Sequence, residues 1–155
     1  MSGLDSLYQQ MILEHAKSRY GADLPEDAPA VPGQAGTGQS HQLNPVCGDE
    51  ITLQVQLDGG SVQAVRWHGE GCAISMASAS VLSELAEGKS PAELLQVMDA
   101  FRTVMRSRGK TAPDEDLLGD AAAFAGVSRY PARVKCAMLS WVAAEDALRQ
   151  AVSTA

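Results

Sequence analysis

The chain contains three cysteines, and the first of them, Cys47, lies in a stretch that is typical of a tight turn. Pro45 restricts the backbone before it and Gly48 permits an unusual backbone angle after it. Asp49 follows two residues after Cys47. Because positions i and i+2 of a strand share a face, the thiol and the carboxylate could approach the same cation. The alternative is that Asp49 caps the turn and Cys47 is a packed thiol.

The other two cysteines lie at predicted helix starts. Cys72 follows a glycine-rich junction between a strand and a helix, where the positive end of the helix dipole lowers the pKa of a thiol and favours thiolate. Cys136 lies in the first turns of the last predicted helix, and Arg133 is one turn earlier on the same face. None of the three cysteines lies midway along an apolar helix stripe, so their positions favour ligands over buried apolar residues.

Three thiolates and the carboxylate of Asp49 would complete a tetrahedral zinc set, because zinc prefers soft sulfur donors. Such a set carries more negative charge than the metal neutralises, and Arg133 and Lys135 could offset the excess. The cysteines are far apart in the sequence, so the fold as a whole must assemble the site.

Alternating apolar residues predict strands over Ile51–Leu57 and Val62–His68, joined by a hairpin turn. A third strand is predicted over His41–Val46. Before it, residues 21–40 are rich in proline and glycine and are predicted to form a flexible loop.

Helical periodicity is present over Leu4–Ser18, from Cys72 to about Gly88, after Ser90 and from Pro131 to about Val152. A capping-box sequence begins at Ser90, and a short helix is predicted over 121–125. The sequence therefore predicts one α+β domain over residues 1–155, with a small antiparallel three-stranded sheet packed against several helices.

The charge balance excludes several kinds of partner. Lys and Arg total 12 against 19 Asp and Glu, a net charge of −7, which disfavours binding to nucleic acid and to anionic lipid. No apolar run reaches the roughly 20 residues of a membrane span, and no signal peptide is recognisable. We therefore expect a cytoplasmic protein whose thiols stay reduced.

The three histidines have weaker signals. His15 lies on the apolar stripe of the first helix and is expected in the core or at an interface. His41 is expected in a loop or beside the metal ligands, and His68 at the end of a strand. No motif ties any of them to a cysteine, which disfavours a hydrolase with a cysteine nucleophile.

Four segments of the chain form a distinctive combination in this order: Leu7-Tyr8-Gln9-Gln10 with Ile12-Leu13-Glu14-His15, Asn44-Pro45-Val46-Cys47-Gly48-Asp49, Gly69-Glu70-Gly71-Cys72-Ala73-Ile74-Ser75-Met76-Ala77-Ser78 and Ala132-Arg133-Val134-Lys135-Cys136-Ala137. Together they resemble the SufU proteins, which belong to the IscU/NifU N-terminal scaffold superfamily of iron–sulfur cluster assembly. Lys135 stands where IscU proteins have a histidine, and residues 107–126 match an insertion of SufU proteins; both features favour SufU.

The resemblance implies a zinc site of Cys47, Asp49, Cys72 and Cys136. It also implies a sulfur carrier, not an enzyme on its own, that stimulates a SufS-type cysteine desulfurase and accepts its persulfide sulfur on Cys47. In that family the desulfurase supplies a histidine to the zinc, which frees this thiolate, and a SufBCD-type scaffold is the implied later recipient. The alternative is a scaffold on which a transient iron–sulfur cluster assembles directly on Cys47, Cys72 and Cys136.

Overall fold

The computed structural model describes residues 3–28 and 34–155, except for the side chain of Leu4. Residues 29–33, which belong to the predicted 21–40 loop, lie outside the described residues. The elements of the described part, in chain order, are α1 (Gly3–Ser18), β1 (Thr37–Asn44), β2 (Asp49–Asp58), β3 (Ser61–Glu70), α2 (Ala73–Ala86), α3 (Pro91–Arg106), α4 (Glu115–Leu118), a 3₁₀ helix (Gly119–Arg129) and α5 (Pro131–Thr154).

The predicted α+β class is confirmed. The three strands form one antiparallel sheet in the order β1-β2-β3, and both hairpins connect neighbours. Asn44 pairs directly with Asp49 where β1 meets β2, and Glu50 pairs with Glu70 where β2 meets β3. The same end of the sheet therefore carries the β1–β2 turn and the end of β3, which continues into α2.

The prediction of a loop through residue 40 is wrong at its end, because β1 begins at Thr37. Residues 37–40 are polar or glycine, so their pattern does not indicate a strand, but they pair with β2. They also pack against α5: a Cβ on Gly38 would lie 1.9 Å from the carbonyl oxygen of Ala147. The strand ends at Asn44, so the predicted strand residues Pro45 and Val46 belong to the turn.

The helices follow the predictions closely, except between α3 and α5. The capping box at the start of α3 forms, with Ser90 and Glu93 each bonding the other's backbone. The predicted short helix over 121–125 is instead part of a longer 3₁₀ helix, which α4 precedes. Gly119 separates these two helices with a φ of +52°, a left-handed conformation that favours glycine.

One layer of helices covers the inner face of the sheet. The core includes Leu53 and Trp67 of the sheet, which are fully buried, and α2 and α5 pack against this face. On the other side of α5, the ring of Trp141 stacks on Phe101 of α3 with centroids 4.0 Å apart. The first turns of α5 lie beside the start of α2, where the hydroxyl of Ser75 donates to the carbonyl oxygen of Cys136. None of the described helices is long and apolar enough to span a bilayer.

Candidate metal centre

Cys47 lies on the exposed turn between β1 and β2, as predicted. The turn closes through a hydrogen bond from the N–H of Gly48 to the carbonyl oxygen of Asn44, 2.8 Å long. Gly48 has a φ of +74° with open space around it, so the glycine is required by the backbone and not by crowding. Cys47 is therefore carried by a short turn outside the core.

Asp49 is the first residue of β2 and is almost completely buried, with 1% of the residue exposed. Its Oδ1 accepts a hydrogen bond from the backbone N–H of Cys72 at 3.0 Å. Its Oδ2 is buried and has no hydrogen-bond partner among the described residues. A buried carboxylate oxygen without a partner is costly, and a bound cation would satisfy it.

Gly71 makes room for this carboxylate. A Cβ at position 71 would lie 2.5 Å from Oδ1 of Asp49, which is closer than side chains approach. The glycine in the Gly69–Cys72 junction is thus explained by contact with Asp49, and not by a left-handed φ.

Cys72 occupies the N-cap position of α2, where the sequence predicts it, and it is half-buried. Its Sγ lies 3.6 Å from the hydroxyl of Ser75, which in turn donates to the carbonyl oxygen of Cys136 at 3.2 Å. Burial acts to raise the pKa of the Cys72 thiol, but hydrogen bonds from the backbone and hydroxyl of Ser75 and from Cys136 together outweigh it and lower the pKa. Ser75 therefore connects the Cys72 thiol to the first turns of α5.

Cys136 is the most enclosed of the three thiols, with 0% exposure. Its Sγ lies 3.8 Å from Sγ of Cys47. Burial is the main cause that raises the pKa of the Cys136 thiol to about 12, and Asp49, Cys72 and Cys47 raise it further. In the absence of a cation this thiol stays protonated.

The structure brings three of the four sequence-predicted ligands close together. One ligand atom from each of Cys47, Asp49 and Cys136 lies within 4.8 Å of the others. Cys72 is outside this closest group, but its N–H bonds Asp49 and its thiol interacts with Cys136. The donor set of sulfur atoms and one unpartnered carboxylate oxygen suits a zinc ion.

Arg133 lies on the exposed surface of α5 and lines a groove between α1, the 3₁₀ helix and the start of α5. Ile74, two residues after Cys72, lines the same groove. The expected contact of Arg133 with the charge of the thiols stays a prediction.

Two of the three histidines bond residues other than the predicted metal ligands. His15 is partly buried, with Nδ1 2.9 Å from the hydroxyl of Ser80 and Nε2 3.0 Å from Asp120, so it joins α1 to α2 and to the 3₁₀ helix. His41 lies within β1, not in a loop, and its Nε2 is 2.7 Å from Glu50. His68 lies within β3, which continues two residues beyond it.

Two residues near the thiols were not singled out by the sequence. Ser75 is part of a run of small residues, which we interpreted as packing, yet its hydroxyl bridges Cys72 and Cys136. Asn44 precedes the turn of Cys47, is buried, and accepts hydrogen bonds from two residues of that turn. A serine three residues after a helix-capping cysteine and an asparagine three residues before the turn cysteine are the signals that could have indicated them.

Comparison with known families gives a match to the NifU-like N terminal domain over residues 7–137. The chain is 40% identical over 144 residues to the zinc-dependent sulfurtransferase SufU of Bacillus subtilis, which covers 93% of this chain and 90% of that protein. It is 33% identical over 154 residues to the iron–sulfur cluster assembly scaffold protein IscU of Streptococcus pyogenes, covering 99% of this chain and 89% of that protein.

Solved structures show the same architecture. A crystal structure described as a putative scaffold protein for the SUF system, from Fervidobacterium islandicum, matches with a TM-score of 0.76 and 35% identity and covers 92% of this chain and 97% of that one. A NifU-like N-terminal protein from Brucella abortus matches with a TM-score of 0.75 and 27% identity, covering 99% of this chain and 100% of that one.

Proposed function

This chain belongs to the NifU-like N-terminal domain family, and we propose that it acts in iron–sulfur cluster assembly as a zinc-dependent acceptor of sulfur from a SufS-type cysteine desulfurase. The observation that carries the proposal is the convergence of the Cys47 and Cys136 thiols on a buried Asp49 carboxylate that has one unpartnered oxygen. The 40% identity to a protein named a zinc-dependent sulfurtransferase supports the same function.

The residues that would hold the zinc are Cys47, Asp49, Cys72 and Cys136. The partnerless Oδ2 of Asp49 and the sulfur-rich donor set both suit this ion. Bound zinc would keep the thiolates deprotonated at neutral pH. Cys136 depends most on a cation for deprotonation. Burial raises the pKa of its thiol to about 12, so the thiol is protonated at neutral pH when no cation is near.

Cys47 is the proposed sulfur acceptor because of its place in the fold. It is exposed on a turn, whereas Cys72 caps α2 and Cys136 is buried in α5. Cys47 alone of the three can approach a partner's sulfur without the unpacking of a helix.

The transfer is an exchange of thiol and disulfide type. The Cys47 thiolate attacks the terminal sulfur of a cysteine persulfide on the desulfurase. A bond forms between Sγ of Cys47 and that terminal sulfur, the sulfur–sulfur bond on the desulfurase breaks, and the desulfurase cysteine leaves as a thiolate. The sulfur that arrives is carried as a Cys47 persulfide.

The chain acts in this proposal as a sulfur carrier that stimulates the desulfurase, and not as an enzyme alone. A SufBCD-type scaffold is the proposed later recipient. The chain should contain one zinc per protomer, and Cys72→Ala and Cys136→Ala should lower both the zinc content and the melting temperature, since metal binding is coupled to folding. Wild-type zinc content in both variants would reject the site.

A second candidate function is that of a scaffold on which an iron–sulfur cluster assembles. Two cysteines in the ligand group, a third beside it and the similarity to a protein named an IscU scaffold favour it. Asp49 and Lys135 favour the sulfur-carrier role instead. Protein prepared without oxygen and supplied with iron and sulfide separates the two: a stable visible absorption indicates a cluster, whereas a colourless zinc protein indicates the carrier.

A further inference from the structure

Asn44 is a buried amide whose donor group is unused. It is the last residue of β1 and is only 6% exposed. Its Nδ2 is buried and has no hydrogen-bond partner among the described residues. A buried N–H without an acceptor is costly and requires an explanation.

The rest of Asn44 fixes the turn that carries Cys47. Its Oδ1 accepts a hydrogen bond from the N–H of Val46 at 3.2 Å, and its backbone oxygen accepts one from the N–H of Gly48 at 2.8 Å. Cys47 lies between these two anchored residues. The bond from Val46 also defines which end of the amide is oxygen, so the free group is the NH₂ donor.

Asn44 also pairs directly with Asp49 across β1 and β2. Asp49 has a buried acceptor without a partner, Oδ2, while Asn44 has a buried donor without one. The two atoms do not bond each other. A cation would satisfy the carboxylate oxygen of Asp49, and an anionic sulfur would satisfy the amide of Asn44.

We propose that Asn44 is the positioning residue for Cys47, fixing its turn through Val46 and Gly48 and donating an Nδ2 hydrogen bond to its sulfur whenever that sulfur is anionic. The acceptor is first the Cys47 thiolate beside the metal and then the terminal sulfur of its persulfide. This second role rests on the proposed function, whereas the first does not. An amide suits the task because its NH₂ group can donate a hydrogen bond to an anion and does not ionise near neutral pH.

The first test follows the Asn44 amide directly. Asn44 is the only asparagine in the chain, so protein labelled with ¹⁵N at asparagine side chains contains a single labelled NH₂ group. When zinc is added to the metal-free, reduced protein, one of its two protons should shift downfield and exchange more slowly with solvent. A Cys47→Ala protein should not show this shift. Unchanged amide protons in the zinc-loaded wild type would overturn the proposal.

The second test uses Asn44→Asp, which keeps an oxygen for the N–H of Val46 but removes the donor, and Asn44→Ala, which removes both. At saturating desulfurase, persulfide formation on Cys47 should slow about tenfold or more in both variants, the loss expected for a hydrogen bond to a charged group. The desulfurase concentration for half-maximal rate should stay within twofold of wild type.

Gln42→Ala is the matched control, because Gln42 is two residues earlier in β1 and its amide bonds Ser40. It should transfer sulfur like the wild type. A zinc-loaded Asn44→Asp or Asn44→Ala protein that transfers sulfur within twofold of the wild-type rate would overturn the proposal.

If neither variant folds, the amide spectrum of the wild type decides between the two outcomes. A wild type that takes no sulfur on Cys47 contradicts the proposed function, and the zinc titration still decides the thiolate role of Asn44.

Discussion

The backbone N–H of Cys72 donates to Oδ1 of Asp49 at 3.0 Å, which joins the first residue of β2 to the N-cap of α2. The other oxygen of this carboxylate, Oδ2, is buried and has no hydrogen-bond partner in the part of the chain that the structure describes. One oxygen of Asp49 therefore serves the fold while the other is free for a ligand. Negative charge at a helix N-terminus is also stabilised by the helix dipole.

This division predicts the effect of Asp49→Asn. The amide oxygen can still accept from Cys72, so we expect a folded protein, but the lost charge should weaken zinc binding by tenfold or more. Competition with a chromophoric chelator measures the affinity. Glu50→Gln is the matched control, since Glu50 is exposed and pairs with His41. Wild-type zinc affinity in Asp49→Asn would show that the carboxylate is not a ligand.

Gly71→Ala should damage the site through contact alone. The added Cβ would meet Oδ1 of Asp49 at 2.5 Å and force the carboxylate away from Cys72. We expect weaker zinc binding and a melting temperature lowered by several degrees, as for a loss of about 1–3 kcal/mol. Gly126→Ala should behave like the wild type, because its Cβ would lie more than 4 Å from the described residues other than its chain neighbours. Equal zinc affinity in the two alanine variants would contradict this account of Gly71.

Local signals explain why much of this site could be predicted from the sequence. Pro45 and Gly48 define the turn of Cys47 within a few residues, and Ser90 with Glu93 defines the start of α3 in the same way. Turns and helix caps of this kind are determined by residues adjacent in the chain, so they can be predicted from a single sequence.

Other features depend on contacts that no local pattern contains. Residues 37–40 have no strand pattern, and they form the first half of β1 because β2 pairs with them and α5 packs on Gly38. The unpartnered atoms of Asn44 and Asp49 likewise arise only when β1 and β2 pair. Phe124 of the 3₁₀ helix packs edge-on against Phe101 of α3, which is another contact between elements far apart in the sequence.

The metal-free protein should lose stability as the pH rises above 9. The pKa of Cys136 is raised from 9.0 to about 12 in the folded chain, mainly by burial. The folded state therefore holds this proton more tightly than the unfolded state, so the stabilisation is complete below pH 9 and is lost as the pH rises toward 12.

Urea unfolding with reductant and chelator present tests this pH dependence. Between pH 9 and pH 10 the wild type should lose about 1 kcal/mol more stability than Cys136→Ser, which lacks the titrating thiol. The raised pKa of Tyr8, about 12, affects both proteins alike. Equal losses in the two proteins would mean that Cys136 titrates normally.

Arg133→Ala should reduce stimulation of the desulfurase more than it reduces stability. Arg133 is exposed, so its removal opens no cavity, and it lies one turn before Cys136 in α5. We expect a severalfold loss of stimulation with a melting temperature within two degrees or so of wild type. Arg149→Ala, at the far end of the same helix, is the control. Stimulation equal to that of the Arg149→Ala control would show that Arg133 does not contribute to desulfurase stimulation.

The most direct measurement is mass spectrometry of the zinc-loaded chain after incubation with a SufS-type desulfurase and cysteine, with each cysteine mapped separately. We expect an added mass of about 32 Da, one sulfur atom, on Cys47, and none on any cysteine of Cys47→Ser. Sulfur found first on Cys72 or Cys136 while Cys47 stays unmodified would contradict this expectation, and Cys47 would then be a ligand only.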